Sequence, residues 1–293
     1  MISVRQFAHE RALLIPCPKL IHCADKLAKE LKSVFHNLEL ITPGSLDELR
    51  GLIRKSRSDF PLLIVAGGDG TVHQAVNYMD LQMQKILALP GGRGNDLVRA
   101  LGLPLSISEF LKKIKELKPR RIDLGRVNSI YYHNSGGIGL DASVLSVMAR
   151  TSGIFAKNYV LAFLRSLGKI EPLNVQVETD AIKRTRDYWW IVAMNGRTIG
   201  GGIPICPMAS PDDGLFDVVA IRRCAKLNLL AKLPLVLMRK HLRLKEVDYW
   251  KTPFLKLTGF QMPVSLALDG EVYTCKGAFL EFEIRPCALT IYG

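Results

Sequence analysis

Residues 61–79 read PLLIVAGGDGTVHQAVNYM, and the reading of this stretch decides the fold. Leu62 to Ala66 is a short unbroken apolar run, the pattern of a strand buried on both faces, and Gly67-Gly68 ends it where a side chain would block a close approach. A helix follows at once. Val72, Ala75, Val76 and Met79 fall at i, i+3, i+4 and i+7, with Asp69 and Thr71 placed to cap its first turn. Strand, glycine turn and helix N-terminus together leave backbone N–H groups facing outward beside the positive end of a helix, a place that suits a phosphate. Asp69 would repel a bare anion there, so GGDGT points to a nucleotide that carries a divalent cation. The string is neither a Walker loop nor a dinucleotide fingerprint, and a purely structural tight turn is the alternative it has to be weighed against.

Working outward, the first 120 residues alternate. Ala12 to Ile15, Leu38 to Ile41 and Ile86 to Leu89 read as strands; Ala24 to Phe35 and Leu46 to Ile53 carry helical apolar faces. After the loop PGGRGND (Pro90 to Asp96) comes a short helix through Leu97, Val98 and Leu101. Ser106 and Glu109 form a capping box, with Leu105 and Phe110 as a hydrophobic staple, opening a helix that reaches Leu117. Such alternation implies a parallel sheet covered on both faces, with ligands at the carboxyl ends of its strands, where both glycine loops fall. In the second loop Arg93 could clamp a phosphate oxygen and Asn95 and Asp96 could bind a hydroxyl, a metal-bound water or a ribose; capping of the following helix is their structural alternative.

Beyond Arg121 the rhythm changes. Leu173 to Thr179, Tyr188 to Asn195, Leu215 to Ile221, Phe254 to Thr258, Val264 to Leu268, Phe279 to Ile284 and Leu289 to Tyr292 read as strands, with helical patterns only around Asp141 to Leu167 and Leu227 to His241. This half reads as an antiparallel sandwich. Glycine clusters at Gly136 to Gly139 and Gly200 to Gly202 suit bulges and close crossings. The turn from Ser210 to Leu215 holds Asp212 and Asp213 together with free carbonyls, enough for part of a hard-cation site or simply a solvated acidic turn. Leu268-Asp269-Gly270-Glu271 is a hairpin turn on local grounds; Glu271 becomes a candidate base only if it faces the phosphate loops.

The chain has 293 residues, 48% of them hydrophobic, enough for one large or two ordinary domains. Forty Lys and Arg against 27 Asp and Glu leave a charge of +13, which favours anionic partners; no RNP motif, zinc-finger spacing or basic tail accompanies it, so nucleic acid is not expected. Six cysteines without a C-x-x-C pair read as reduced thiols of a cytoplasmic protein. Arg5, Glu10 and Arg11 interrupt any secretory signal, and no window approaches the about 18 uncharged apolar residues of a membrane span, so lipid contact is expected to be peripheral. Leu227 to Arg243, with Lys226, Lys232, Arg239, Lys240 and Arg243, could lie on an anionic membrane or form a core helix with a solvated basic face, bent in either case at Pro234.

The ordered set GGDGT, GGRGNDLVRALGLP, IDLGRVN, GGIGLDASV, GGGIPICPMASPDDGLFDV and LDGE resembles the catalytic region of the diacylglycerol kinase family, and most the soluble bacterial lipid kinases, which are similar also to sphingosine kinases. The resemblance runs from about Arg11 to the C-terminus. It implies an N-terminal three-layer α/β nucleotide domain over residues 1–123, joined by a returning strand at about 286–293, a β-sandwich over 124–285, and an active site in the cleft between them. It implies ATP-dependent, Mg2+-dependent phosphorylation of a lipid hydroxyl at the membrane surface, giving phosphatidic acid from diacylglycerol, with a homodimer as one open assembly. On that resemblance Gly67, Gly68, Asp69, Gly70, Thr71 and Val72 hold the ATP phosphates, Asp69 organises the catalytic magnesium, and Thr42, Asn95 and Asp96 complete the nucleotide site. Glu271 stands as the general base; Asp213 with the carbonyls of Ser210 and Leu215 matches a structural magnesium site; Asp123 and Asp141 stand as supporting acids. Two departures mark this chain: Pro16-Cys17-Pro18-Lys19-Leu20 lacks the family's Asn and Ser-Gly turn, and Arg93 replaces a common threonine. NAD kinases also carry GGDGT, but with Asn-Glu downstream and without the PDDGLFD block. A binding protein that has lost catalysis is the third reading, motivated by Cys17 in the opening turn.

Overall fold

The structure, a computed structural model, describes residues 10–152 and 158–293. Residues 1–9, with the Arg5 of the N-terminal reading, and 153–157, inside the helical stretch expected from Asp141 to Leu167, lie outside the described residues. The chain divides into two compact units, Met1–Asp123 with Pro286–Gly293, and Leu124–Arg285.

The first unit runs β1 (Arg11–Pro16), α1 (Ala24–Lys32), β2 (Asn37–Leu40), α2 (Leu46–Lys55), β3 (Leu62–Gly67), α3 (Asp69–Tyr78), β4 (Lys85–Pro90), α4 (Asp96–Ala100) and α5 (Ile107–Lys113). Its strands pair in parallel in the order β2-β1-β3-β4, with Ala12 opposite Leu62 and Leu62 opposite Lys85. Leu13, Leu14, Ile15 and all of Leu62 to Ala66 are buried, as an unbroken apolar run in a sheet covered on both faces requires. Leu27 and Leu31 of α1, Leu49 and Ile53 of α2 and Val72, Ala75 and Val76 of α3 supply that cover. The chain leaves β2, crosses β1 and enters β3, so the order reverses between β1 and β3, the place where such sheets open a ligand crevice.

Two local expectations fail here. Ser106 makes no cap bond to its helix; its hydroxyl pairs with that of Ser108 at 2.9 Å, Leu105 is exposed, and the helix gives way to a 3-10 turn after Lys113. Nor does Asp69 or Thr71 cap α3: Gly68 is the N-cap, and the Asp69 carboxylate turns elsewhere.

The second unit continues from β5 (Pro119–Val127) through β6 (Ile130–Tyr132), β7 (Ser135–Gly139), α6 (Leu140–Arg150), α7 (Tyr159–Ser166), β8 (Leu173–Glu178), β9 (Lys183–Met194), β10 (Phe216–Arg222), α8 (Lys226–Leu237), β11 (Val247–Thr252), β12 (Phe254–Thr258), β13 (Val264–Leu268) and β14 (Glu271–Cys275) to β15 (Leu280–Tyr292). The pairing is antiparallel. β9 is shared: Lys183 to Tyr188 pair with β8, while the residues up to Met194 lie between β7 and β10. Alternation then sorts its side chains. Ile191 and Ala193 join Phe216, Val218, Leu257, Leu266 and Phe282 in the sandwich core; Val192 and Met194 face the other way, into a second core closed by Leu140, Val144 and Phe163 of α6 and α7. β15 was expected as two strands. It is one, because Cys287 adopts φ 51° and shifts the alternation without ending the strand; its N–H donates to Asp123 Oδ1 at 2.7 Å. The end of β15 from Pro286 belongs to the first unit, where Ile291 pairs with Ile86 of β4. Among the described residues no helix is long and apolar enough to cross a membrane.

Candidate functional site

In the first unit the two glycine loops meet backbone to backbone. A Cβ on Gly92 would lie 2.3 Å from Gly68 Cα, and one on Gly68 would lie 2.8 Å from Gly92 Cα, so neither position admits a side chain. The Gly91 N–H donates to Gly67 O at 2.9 Å. Asn95 closes the second loop on itself: at φ 50°, its Oδ1 accepts from Gly92 N at 2.8 Å and its Nδ2 donates to Gly92 O at 3.1 Å. Asn95 therefore shapes the loop rather than capping α4. The N–H of Leu97, in the first turn of α4, goes to Asp69 Oδ1 at 3.1 Å. One carboxylate thus ties the start of α3 to the start of α4, and it stands where the two loops touch.

Around this centre Asp96 is buried with its carboxylate 4.0 Å from Arg99 Nε, Val72 is buried, and Gly70 and Thr71 lie in the first turn of α3. Thr71 leans its hydroxyl back over Gly67, where a Cβ would lie 2.5 Å from it. Arg93 at the loop tip and Thr42 after β2 are exposed. The opening turn that lacks the family's residues is a 3-10 turn, Pro18–Cys23; Cys17 is buried and donates its N–H to Ala66 O at 2.7 Å, and Leu20 covers Gly91.

In the second unit the LDGE hairpin holds more than a turn. Asp269 (φ 49°) and Gly270 (φ 89°) are both left-handed, as a two-residue hairpin loop requires, and Glu271 is exposed at the first position of β14, opposite Leu268. The Asp269 side chain is buried instead. Its Oδ1 accepts from Asn134 N at 2.8 Å and Ser135 N at 3.1 Å, its Oδ2 from His133 N at 2.9 Å, and its own N–H donates to Ser135 O at 3.0 Å. Asn195 extends the clamp by donating from Nδ2 to His133 O at 3.0 Å. Sequence reasoning missed Asp269 because Asp-Gly explains itself as a turn; nothing in four residues says which way the carboxylate faces.

Asp141, first in line after the Gly136 to Gly139 cluster, is buried, and burial pushes its carboxyl up to about 7 although Ala142 N–H donates to it at 2.7 Å. A Cβ on Gly137 would come within 2.8 Å of its Oδ2, which gives that glycine a packing role. Asp213 lies in the Ser210 to Leu215 turn. Its Oδ1 accepts from Leu215 N at 3.2 Å and its Oδ2 from Lys251 Nζ at 2.8 Å, while Ser210 Oγ donates to Asp212 at 2.6 Å.

Beside the second core lies a cavity of about 100 Å³ with an almost wholly apolar lining, including Phe163, Val219, Ile203, Leu229, Leu233 and Val236. α8 walls it without burying any residue of its own, and exposes Leu227 and Leu237, with Met238 just beyond; Arg239 and Lys240 are exposed beside them.

Residues 19–127 match the model of the diacylglycerol kinase catalytic domain, and residues 135–293 match that of the YegS C-terminal NAD kinase beta sandwich-like domain. The chain is 27% identical to diacylglycerol kinase of Bacillus subtilis (strain 168) over 257 residues, 85% of this chain and 84% of that one. Its fold matches the crystal structure of a diacylglycerol kinase from Bacillus anthracis str. Sterne with a TM-score of 0.72 at 20% identity, covering 96% of each chain. Yeast NADH kinase complexed with NADH shares the fold more distantly, with a TM-score of 0.52 at 11% identity over 97% of this chain and 82% of that one.

Proposed function

From the premise that the chain belongs to the diacylglycerol kinase family of lipid kinases, we propose that it transfers the γ-phosphoryl group of ATP to the hydroxyl of diacylglycerol, giving phosphatidic acid and ADP. The observation that carries a lipid acceptor is the mostly apolar cavity beneath α8, which suits the end of an acyl chain better than a dinucleotide. α8 also presents apolar side chains flanked by Arg239 and Lys240, a surface suited to lie on an anionic membrane from the cytoplasmic side.

In this reading the N–H groups at the start of α3 hold the ATP phosphates, and the helix dipole favours their charge. Asp69, whose Oδ1 accepts from Leu97 N, is the carboxylate that would hold magnesium beside the phosphates. Bound there, magnesium would neutralise charge on the phosphate oxygens. Thr42, Asn95 and Asp96 shape the nucleotide side, and Arg93 replaces a hydroxyl with a cation that can pair with a phosphate oxygen. Glu271 accepts the proton of the lipid hydroxyl as its oxygen bonds to the γ-phosphorus and the bond to the ADP oxygen breaks. Modest basicity is enough, because the transition state is largely dissociative. Asp269 holds the hairpin on which Glu271 sits.

The test is transfer of labelled γ-phosphate from ATP with magnesium to diacylglycerol in mixed micelles, run against NAD, with products identified by mass spectrometry. Phosphatidic acid as the main product is expected. Phosphorylated NAD would overturn the lipid reading, and nucleotide binding with no transfer to any of a broad lipid panel would overturn the kinase reading.

A further inference from the structure

The resemblance puts a structural magnesium on Asp213, but the cation that meets this carboxylate is one of the chain's own side chains. We infer that Lys251 replaces that magnesium, so that the β-sandwich of this protein is stable without a divalent ion. The sequence Ser210-Pro211-Asp212-Asp213-Gly214-Leu215-Phe216-Asp217 gathers three carboxylates on a turn and the strand it enters, an arrangement that needs a counter-charge. Asp217 needs it most, since its side chain is 1% exposed. Tyr249 donates its hydroxyl to Oδ1, and Oδ2 lies 3.5 Å from Lys251 Nζ. The same ammonium donates to Asp213 Oδ2 at 2.8 Å.

The placement comes from the backbone. β10 and β11 pair antiparallel with Asp217 directly opposite Lys251 and Val219 opposite Tyr249, so both donors reach Asp217 from the neighbouring strand by register. Within the turn Asp213 Oδ1 accepts from Leu215 N, and Ser210 Oγ donates to Asp212. A magnesium ion would have to shed water and displace a tethered cation from a carboxylate already bonded on both oxygens.

The measurement is thermal unfolding of the full-length, nucleotide-free protein with excess EDTA and with saturating magnesium. The wild type is expected to melt at the same temperature in both. Lys251→Met should melt lower by roughly 3–6 °C in EDTA, and magnesium should recover part of that loss, because Asp213 and Asp217 are then uncovered. Adding Asp213→Asn should abolish the recovery, and Lys251→Arg, which keeps a cation, should behave as wild type. A wild-type melting temperature that rises with magnesium and ceases to do so in Asp213→Asn would overturn the inference. So would a Lys251→Met variant as stable as wild type. If Lys251→Met does not fold, the wild-type and Asp213→Asn responses still decide the matter. Magnesium bound at Asp69 does not confuse the result, since its response survives Asp213→Asn.

Discussion

Replacing Asp269 tests the link between the buried half of the LDGE turn and its exposed half. Asn in its place keeps Oδ1 and the bonds from Asn134 and Ser135, but turns an amide NH2 toward the His133 N–H that Oδ2 accepted. One charge-assisted bond is lost and one buried donor is orphaned, about 2–3 kcal/mol together. The backbone adds little, because Asn tolerates the left-handed φ of 49° well. Ala leaves three donors without an acceptor and puts an ordinary side chain in the left-handed region, for a total of about 4–6 kcal/mol. Gly loses the same three acceptors without the backbone penalty, so the Ala and Gly variants should differ by about 1 kcal/mol. Urea unfolding followed by tryptophan fluorescence reads the right unit, since Trp189, Trp190 and Trp250 all belong to Leu124–Arg285. An Asp269→Asn variant within about 0.5 kcal/mol of wild type would refute the clamp, because that is the scatter of surface substitutions.

Glu271→Gln should lower kcat by about 10²–10⁴-fold while leaving the melting temperature unchanged, since Glu271 is exposed; steady-state kinetics beside a melting curve shows both. Gly92→Ala drives a methyl into the backbone of Gly68 and should cost about 1–3 kcal/mol together with most ATP affinity, measured by calorimetric titration of ATP with magnesium. Arg239→Glu with Lys240→Glu should weaken sedimentation with anionic vesicles by about 1 kcal/mol per lost cation, with no effect on neutral vesicles. Asp141 supplies a pH dependence. Its folded pKa of about 7 lies above the unfolded value of 3.8, so between these values the folded state holds a proton that the unfolded state has released, and stability falls as pH rises through the window. Asp141→Asn removes this slope and should gain on wild type by up to about 4 kcal/mol between pH 4 and pH 8, read by denaturant titration across pH.

The first unit was legible because its signals are redundant. An all-apolar run such as Leu62 to Ala66 suits only a doubly covered strand, and each is followed by a helical stripe, so the parallel α/β class follows from periodicity alone. The second unit was legible in class and less so in detail. β7 is Ser-Gly-Gly-Ile-Gly, which no propensity marks as a strand; at Gly137 and Gly139 the β9 backbone passes too close for a side chain, and at Gly136 Leu268 and Tyr132 do. β5 and β11 were missed for their charge: Arg120, Arg121 and Asp123 in one, Asp248 and Lys251 in the other, interrupt the apolar pattern. Pro286 and Cys287 read as a break in β15, and Asp123, 164 positions away in sequence, accepts the N–H of the left-handed residue within the strand. The capping box failed for the opposite reason: the motif was present, but Ser108 offered the Ser106 hydroxyl a nearer partner.

The candidate site shows what a motif leaves out. GGDGT, SPDDGLFD and LDGE each place acids in a turn, and composition gives no ground for treating them differently. Burial and backbone donors separate them. Asp269 accepts the N–H groups of His133, Asn134 and Ser135, and Asp69 that of Leu97, so these carboxylates hold loops in place through bonds that a neutral side chain makes less well. Asp217 is buried against a tyrosine and a lysine. Glu271 is exposed on the hairpin, two residues from the clamped Asp269. That combination is what a proton acceptor for an incoming hydroxyl needs: access for the substrate and a fixed position in which to wait for it.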